Sequence, residues 1–134
     1  MITVSTSINA TLEKVWEFWT NPKHIINWNF AGNDWHCPKA ENSLQVGKKF
    51  NYRMESKDGL TGFDFEAEYT KITNFETIEY KMEDDRKVIV SFEKEENSIL
   101  ITEKFDPENE NSLEMQQQGW QMILDNFKKY VDKN

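Results

Sequence analysis

The chain has 134 residues, a formal charge of −8 and an apolar fraction of 37%, which suits one domain, 1–134, large enough to bury a core without covalent staples. The acidic excess, with no basic cluster to offset it, argues against nucleic acid or an anionic membrane as a partner. A lone cysteine excludes a disulfide framework. No apolar run reaches the ~20 residues of a membrane span and no signal-peptide pattern opens the chain, so a soluble, cytoplasmic protein is expected.

In chain order, "ITVSTSI" alternates Ile2, Val4, Thr6 and Ile8 on one side, the period of a strand. In "NATLEKVWEFWT", Leu12, Val15, Trp16 and Trp19 recur at helical spacing, with Asn9 as the expected N-cap. Asn21 and Pro22 start a second short helix as cap and first helical residue. The segment "NWNFAGNDWHCPKA", Asn27 to Ala40, follows as a loop.

From Val46 to Phe105 the period is two. Phe50, Tyr52 and Met54 alternate with polar residues, as do Phe63, Phe65, Ala67 and Tyr69, and then Ile78, Tyr80 and Met82. Val88, Val90 and Phe92, then Ile99, Ile101 and Phe105, continue the pattern. Polar turns separate the runs, as in an antiparallel meander with one buried face. The turns predict Met54 opposite Phe63, Tyr52 opposite Phe65, Tyr69 opposite Tyr80 (through a two-residue turn at Asn74-Phe75), Tyr80 opposite Val90, and Phe92 opposite Ile101. All keep apolar residues on one face. A long amphipathic helix ends the chain, its stripe formed by Leu113, Gln117, Trp120, Ile123, Leu124, Phe127 and Val131.

The chemistry-bearing residues are few. His36 and Cys37 are neighbours in sequence, whose side chains ordinarily diverge, and a thiolate nucleophile needs a base within reach of its sulfur. Two histidines and one cysteine supply no zinc-ligand spacing, and no calcium loop is present. No catalytic residue, metal ligand or cofactor is therefore assigned, and Cys37 reads as a small buried residue. Tyrosines on a buried sheet face need hydrogen-bond partners, which a pocket, mutual pairing of Tyr69 and Tyr80, or the surface can supply. Arg86 and Glu103 share parity with the buried residues of their strands. Either they are polar anchors of an apolar pocket, or Arg86 belongs to a turn and Glu103 reaches water near the sheet's end; the second reading is favoured.

The order of strand, two short helices, five-strand meander and long helix encloses space between sheet and helix. It resembles the helix-grip (SRPBCC, START-like) superfamily of lipid-transfer START domains, the birch-pollen allergen family and polyketide cyclases. More narrowly, it is similar to small proteins related to the C-terminal domain of the activator of heat-shock protein 90 ATPase. The residues carrying this are "VWEFWTNPKHIINW" at Val15–Trp28, "VGKKF" at Val46–Phe50, "GFDFEAEYTKI" at Gly62–Ile72 and "QQGWQMILDNFKKYV" at Gln117–Val131.

The resemblance implies an α+β helix-grip fold, a curved antiparallel six-stranded sheet wrapped around the C-terminal helix. It also implies that the segment after the short helices borders a cavity. The expected lining is Trp28, Phe30, Trp35, Tyr52, Phe65, Tyr69, Tyr80, Phe92, Trp120, Ile123 and Phe127, with Arg86 and Glu103 as the possible polar anchors. The function expected first is binding of a small hydrophobic or aromatic molecule, lipid-, polyketide- or flavonoid-like. The alternatives are an interaction protein that meets a chaperone or a second copy of itself, and a cyclase- or hydratase-like enzyme. The enzyme would need a paired acid and base in the cavity, and beyond Arg86, Glu103 and the tyrosines the sequence displays no such set.

Overall fold

The computed structural model describes residues 1–134. β1 (Ile2–Ile8) leads into α1 (Leu12–Thr20) and α2 (Pro22–Ile25). β2 (Trp35–Asn42), β3 (Lys49–Ser56), β4 (Gly62–Thr73), β5 (Thr77–Met82), β6 (Lys87–Lys94) and β7 (Ile99–Phe105) follow, and α3 (Leu113–Lys133) ends the chain. The strands form one antiparallel sheet in the order β1-β7-β6-β5-β4-β3-β2. The chain thus enters at one edge, crosses to the other through α1 and α2, and returns strand by strand until β7 pairs with β1. The sheet curls around α3 in the helix-grip arrangement.

The sheet has seven strands rather than the six expected, because Trp35–Asn42 is a strand and not loop. Its register against β3 shifts between His36 and Lys39, a bulge at Cys37-Pro38 that breaks the alternation. Proline, which has no N–H to donate, is tolerated there because β2 is an edge strand.

The expected pairs Met54–Phe63, Tyr52–Phe65, Tyr69–Tyr80 and Phe92–Ile101 are present. Tyr69 meets Tyr80 by another route, however. Thr73 pairs with Thr77 across a longer turn, and a register shift between Tyr69 and Lys71 restores the alignment. Phe75 occupies that turn with φ of 67°. Tyr80 pairs with Val88, not Val90, because the β5–β6 turn is tighter than expected and places Asp85 at φ of 68°. A two-residue slip leaves every side chain on its face, so the buried pattern alone does not distinguish the two registers.

The helix starts are set by side-chain caps. Thr11, not Asn9, caps α1: its hydroxyl oxygen accepts from the Lys14 N–H at 3.2 Å. Asn21 caps α2 through Lys23 N–H, with Pro22 in the first turn, and Ser112 caps α3 through Met115 N–H. Leu113, expected on the buried stripe, stands exposed at the start of α3, whereas Leu124, Phe127 and Val131 are buried. α3 also lies along the free edge of β1. Gln117, Gln121 and Lys128 donate side-chain hydrogen bonds to the carbonyls of Thr3, Ser5 and Ser7 at 3.4, 3.0 and 2.8 Å.

Candidate ligand cavity

Between the concave sheet face and α3 lies a cavity of about 1120 Å³, just above the ~300–1,000 Å³ of small-molecule sites. The structure places Trp28, Phe30, Trp35, Tyr52, Phe65, Tyr69, Tyr80, Trp120 and Ile123 along its wall, with Arg86 and Glu103. Phe92 and Phe127, both in the expected lining, do not line it. They lie at the end that aromatic residues fill: Phe92 meets Trp16 and Trp19 at 5.2 and 5.8 Å, and Phe127 meets Trp19 and Trp28 at 4.9 and 4.8 Å between ring centroids.

The segment after α2 forms one lip. The Trp28 indole N–H donates to the Phe18 carbonyl at 3.1 Å, and Asn126 of α3 donates to the Phe30 carbonyl at 2.6 Å. Trp35 stands against Phe63 at 5.9 Å. On the opposite wall Trp120 stacks on Phe105 at 3.9 Å, and Phe65 approaches its edge. One turn of α3 presents Gly119 to the cavity, where an added Cβ would meet nothing within 4 Å.

The tyrosines do not satisfy each other as Tyr69 and Tyr80. The Tyr69 hydroxyl instead donates to Asn42 Oδ1 at 2.6 Å, and Asn42 Nδ2 donates to the Thr20 carbonyl at 2.8 Å. This chain joins β4, the β2 edge and α1. Tyr52 faces Tyr69, and burial holds both phenols above the ordinary range, Tyr69 at about 12. Tyr80 is raised as well, first by burial and then by the Glu103 carboxylate, and its hydroxyl makes no hydrogen bond within the protein.

Glu103 corrects the favoured sequence reading, since it does not reach water at the sheet's end. It sits in the middle of β7 between Val4 and Val90, 5% exposed, and makes no hydrogen bond or ion pair with any other residue. Desolvation lifts its carboxyl to about 8. A charged group so placed is costly without a partner. Arg86 does belong to the β5–β6 turn, where its Nε donates to Asp84 at 2.7 Å, and it borders the cavity mouth from there. Glu83, Glu108 and Glu110 share this rim.

Three polar features escaped sequence reasoning. Asn42 was hidden with β2, although its parity with Ala40 would have revealed it once the strand was recognised. Asn29, 8% exposed on the cavity wall, has a buried Nδ2 with no hydrogen bond of good geometry, though it lies close enough to the Cys37 sulfur to lower that thiol slightly. The acidic rim falls in polar segments between elements, whose composition alone marks only solvated turns. Cys37 itself is buried and desolvation pushes its thiol up to about 11, the reverse of an activated nucleophile. His24 binds the Tyr130 hydroxyl at 2.7 Å and stacks on Phe18. No group of three or more His, Cys, Asp or Glu side chains converges as metal ligands, and no helix is long and apolar enough to cross a membrane.

Comparison with known proteins agrees with this architecture. Residues 9–132 match the family described as activator of Hsp90 ATPase homolog 1-like protein. The solution structure of an AHSA1-like protein from Aeromonas hydrophila is 38% identical with a TM-score of 0.90, over 98% of this chain and 93% of that one. A solution structure from Cytophaga hutchinsonii is 43% identical with a TM-score of 0.85, over 99% and 92% of the two chains. A crystal structure from Nitrosomonas europaea shares the fold at 11% identity, with a TM-score of 0.83 over 98% and 94%. No curated protein matches. The sequence match and the shared fold together show that the chain belongs to the activator of Hsp90 ATPase homolog 1-like family.

Proposed function

We propose that this protein binds a small hydrophobic or aromatic molecule in the cavity between the sheet and α3. The observation that carries the reading is the cavity itself: about 1120 Å³ left open beside a well-packed aromatic cluster. A protein interior ordinarily closes such space, because a void forfeits dispersion contacts along its whole lining. Gly119 supports the reading. Glycine inside a helix costs about 1 kcal/mol relative to alanine, and here its missing side chain widens the cavity. Tryptophan, phenylalanine and tyrosine rings on the wall suit a flat apolar body, and the fold commonly binds hydrophobic ligands.

Native mass spectrometry of the purified protein, followed by thermal-shift screening with lipids, flavonoid-like aromatics and polyketides, tests it. A retained ligand or a raised melting temperature is expected. No retained mass and no shift across the panel would overturn the reading and favour a chaperone-linked interaction protein acting through its surface.

A further inference from the structure

Resting on that reading, we propose that the ligand is an organic cation, an apolar or aromatic body carrying a protonated amine that donates to the Glu103 carboxylate and the Tyr80 hydroxyl oxygen. Independent features of the cavity converge on this class. Glu103, 5% exposed, is an acceptor lining the cavity, flanked in the sheet by valines and unpartnered by any donor of the chain. The Tyr80 hydroxyl lies within the field of that carboxylate and is also unpartnered. A buried carboxyl with no partner is costly to ionise, and an ammonium group is the donor that most fully offsets that cost. The rings of Phe65, Tyr80 and Trp120 add π faces, which attract cations most strongly where water is excluded.

The rim strengthens the selection. Glu83, Asp84, Glu108 and Glu110 border the mouth, against which Arg86 is the one cation on the same rim, and it is already held by Asp84. Glu108 further anchors the rim by accepting from the N–H groups of Glu110 and Asn111 at 2.9 and 2.8 Å. A fatty-acid carboxylate or a phosphate would pass an anionic mouth and then stand beside Glu103, where two acidic groups cannot both ionise without cost. An amine meets favourable potential throughout.

The test uses phenylbutylamine, phenylbutanol and phenylbutyrate, probes of one apolar body with a cationic, neutral or anionic end, titrated calorimetrically into the full chain at neutral pH. The amine is expected to bind about tenfold more tightly than the alcohol, the step of a charge-assisted over a neutral hydrogen bond, with the carboxylate weakest. Glu103→Gln should bring the affinities of amine and alcohol to within about twofold of each other. Tyr80→Phe should lower the amine preference by about threefold, and it provides a second readout should Glu103→Gln fold poorly. Alcohol or carboxylate binding as tightly as the amine, or an amine preference that survives Glu103→Gln, would overturn the proposal. If none of the three binds while members of the wider panel do, the cation assignment fails alone. If the panel fails too, ligand binding in the cavity fails with it.

Discussion

The two ends of the concave sheet face are built from the same kinds of residue and end in opposite states. At one end Trp16, Trp19, Trp28, Phe92 and Phe127 interlock edge to face and fill the space, Trp19 and Trp28 also bounding the cavity. At the other, Tyr52, Phe65, Tyr80 and Trp120 stand around an opening of about 1120 Å³, with an unpaired carboxyl among them. What differs is the covering element. α1 and the segment after α2 push tryptophans into the first end, while α3 turns Gly119 toward the second. Aromatic content therefore does not decide between core and cavity; what the opposite layer brings does.

Mutations at the two ends test this contrast. Phe127→Ala, in the filled end, should cost about 3–5 kcal/mol in urea denaturation. Phe65→Ala, whose ring already borders open space, should cost about 1–2 kcal/mol because fewer packing contacts are lost. Equal losses would erase the distinction.

Glu103 comes next, through pH. Its folded carboxyl titrates at about 8 against an ordinary 4.5, so the native state holds a proton that the unfolded state has released between those values. Stability from this group is complete below pH 4.5 and falls as pH rises to about 8, then levels. Relative to wild type, Glu103→Gln should therefore gain a few kcal/mol, as an order of magnitude, on moving from acid to mildly alkaline pH. Parallel pH profiles of melting temperature would show instead that the carboxyl is hydrated.

Asn42→Ala should cost about 1–3 kcal/mol by orphaning the Tyr69 hydroxyl and the Thr20 carbonyl; loss of a single exposed bond would be milder. The smallest effect has the opposite sign. Gly119→Ala should raise stability by about 0.5–1 kcal/mol, since the new methyl meets no atom. A loss there would mean that α3 sits closer to the sheet in solution.

Much of this architecture was legible in the alternation of apolar residues, which assigns each side chain to a face. That information placed Tyr52, Phe65, Tyr69 and Tyr80 on the concave side and put Glu103 in step with Ile101 and Phe105. It does not say which stretch of the face another layer covers, so Phe92 was expected on the cavity wall and Glu103 at the water. β2 was missed for a local reason: the bulge at Cys37-Pro38 breaks the period by which strands are read, and the Tyr69–Asn42 bond was missed with it. The Tyr80–Val88 register was missed because a slip of two residues preserves every face.

The polar seam between α3 and β1 bears on how copies of this protein meet. An edge strand exposes a row of carbonyls and N–H groups that can template pairing with another chain. Here Gln117, Gln121 and Lys128 already engage the outward carbonyls of Thr3, Ser5 and Ser7. At the far edge, β2 carries Pro38, a bulge and the exposed charges of Lys39 and Glu41. Strand-by-strand growth is thus obstructed at both margins by unrelated devices. The sheet can stay curled around an unfilled interior without its borders becoming seeds for fibrils.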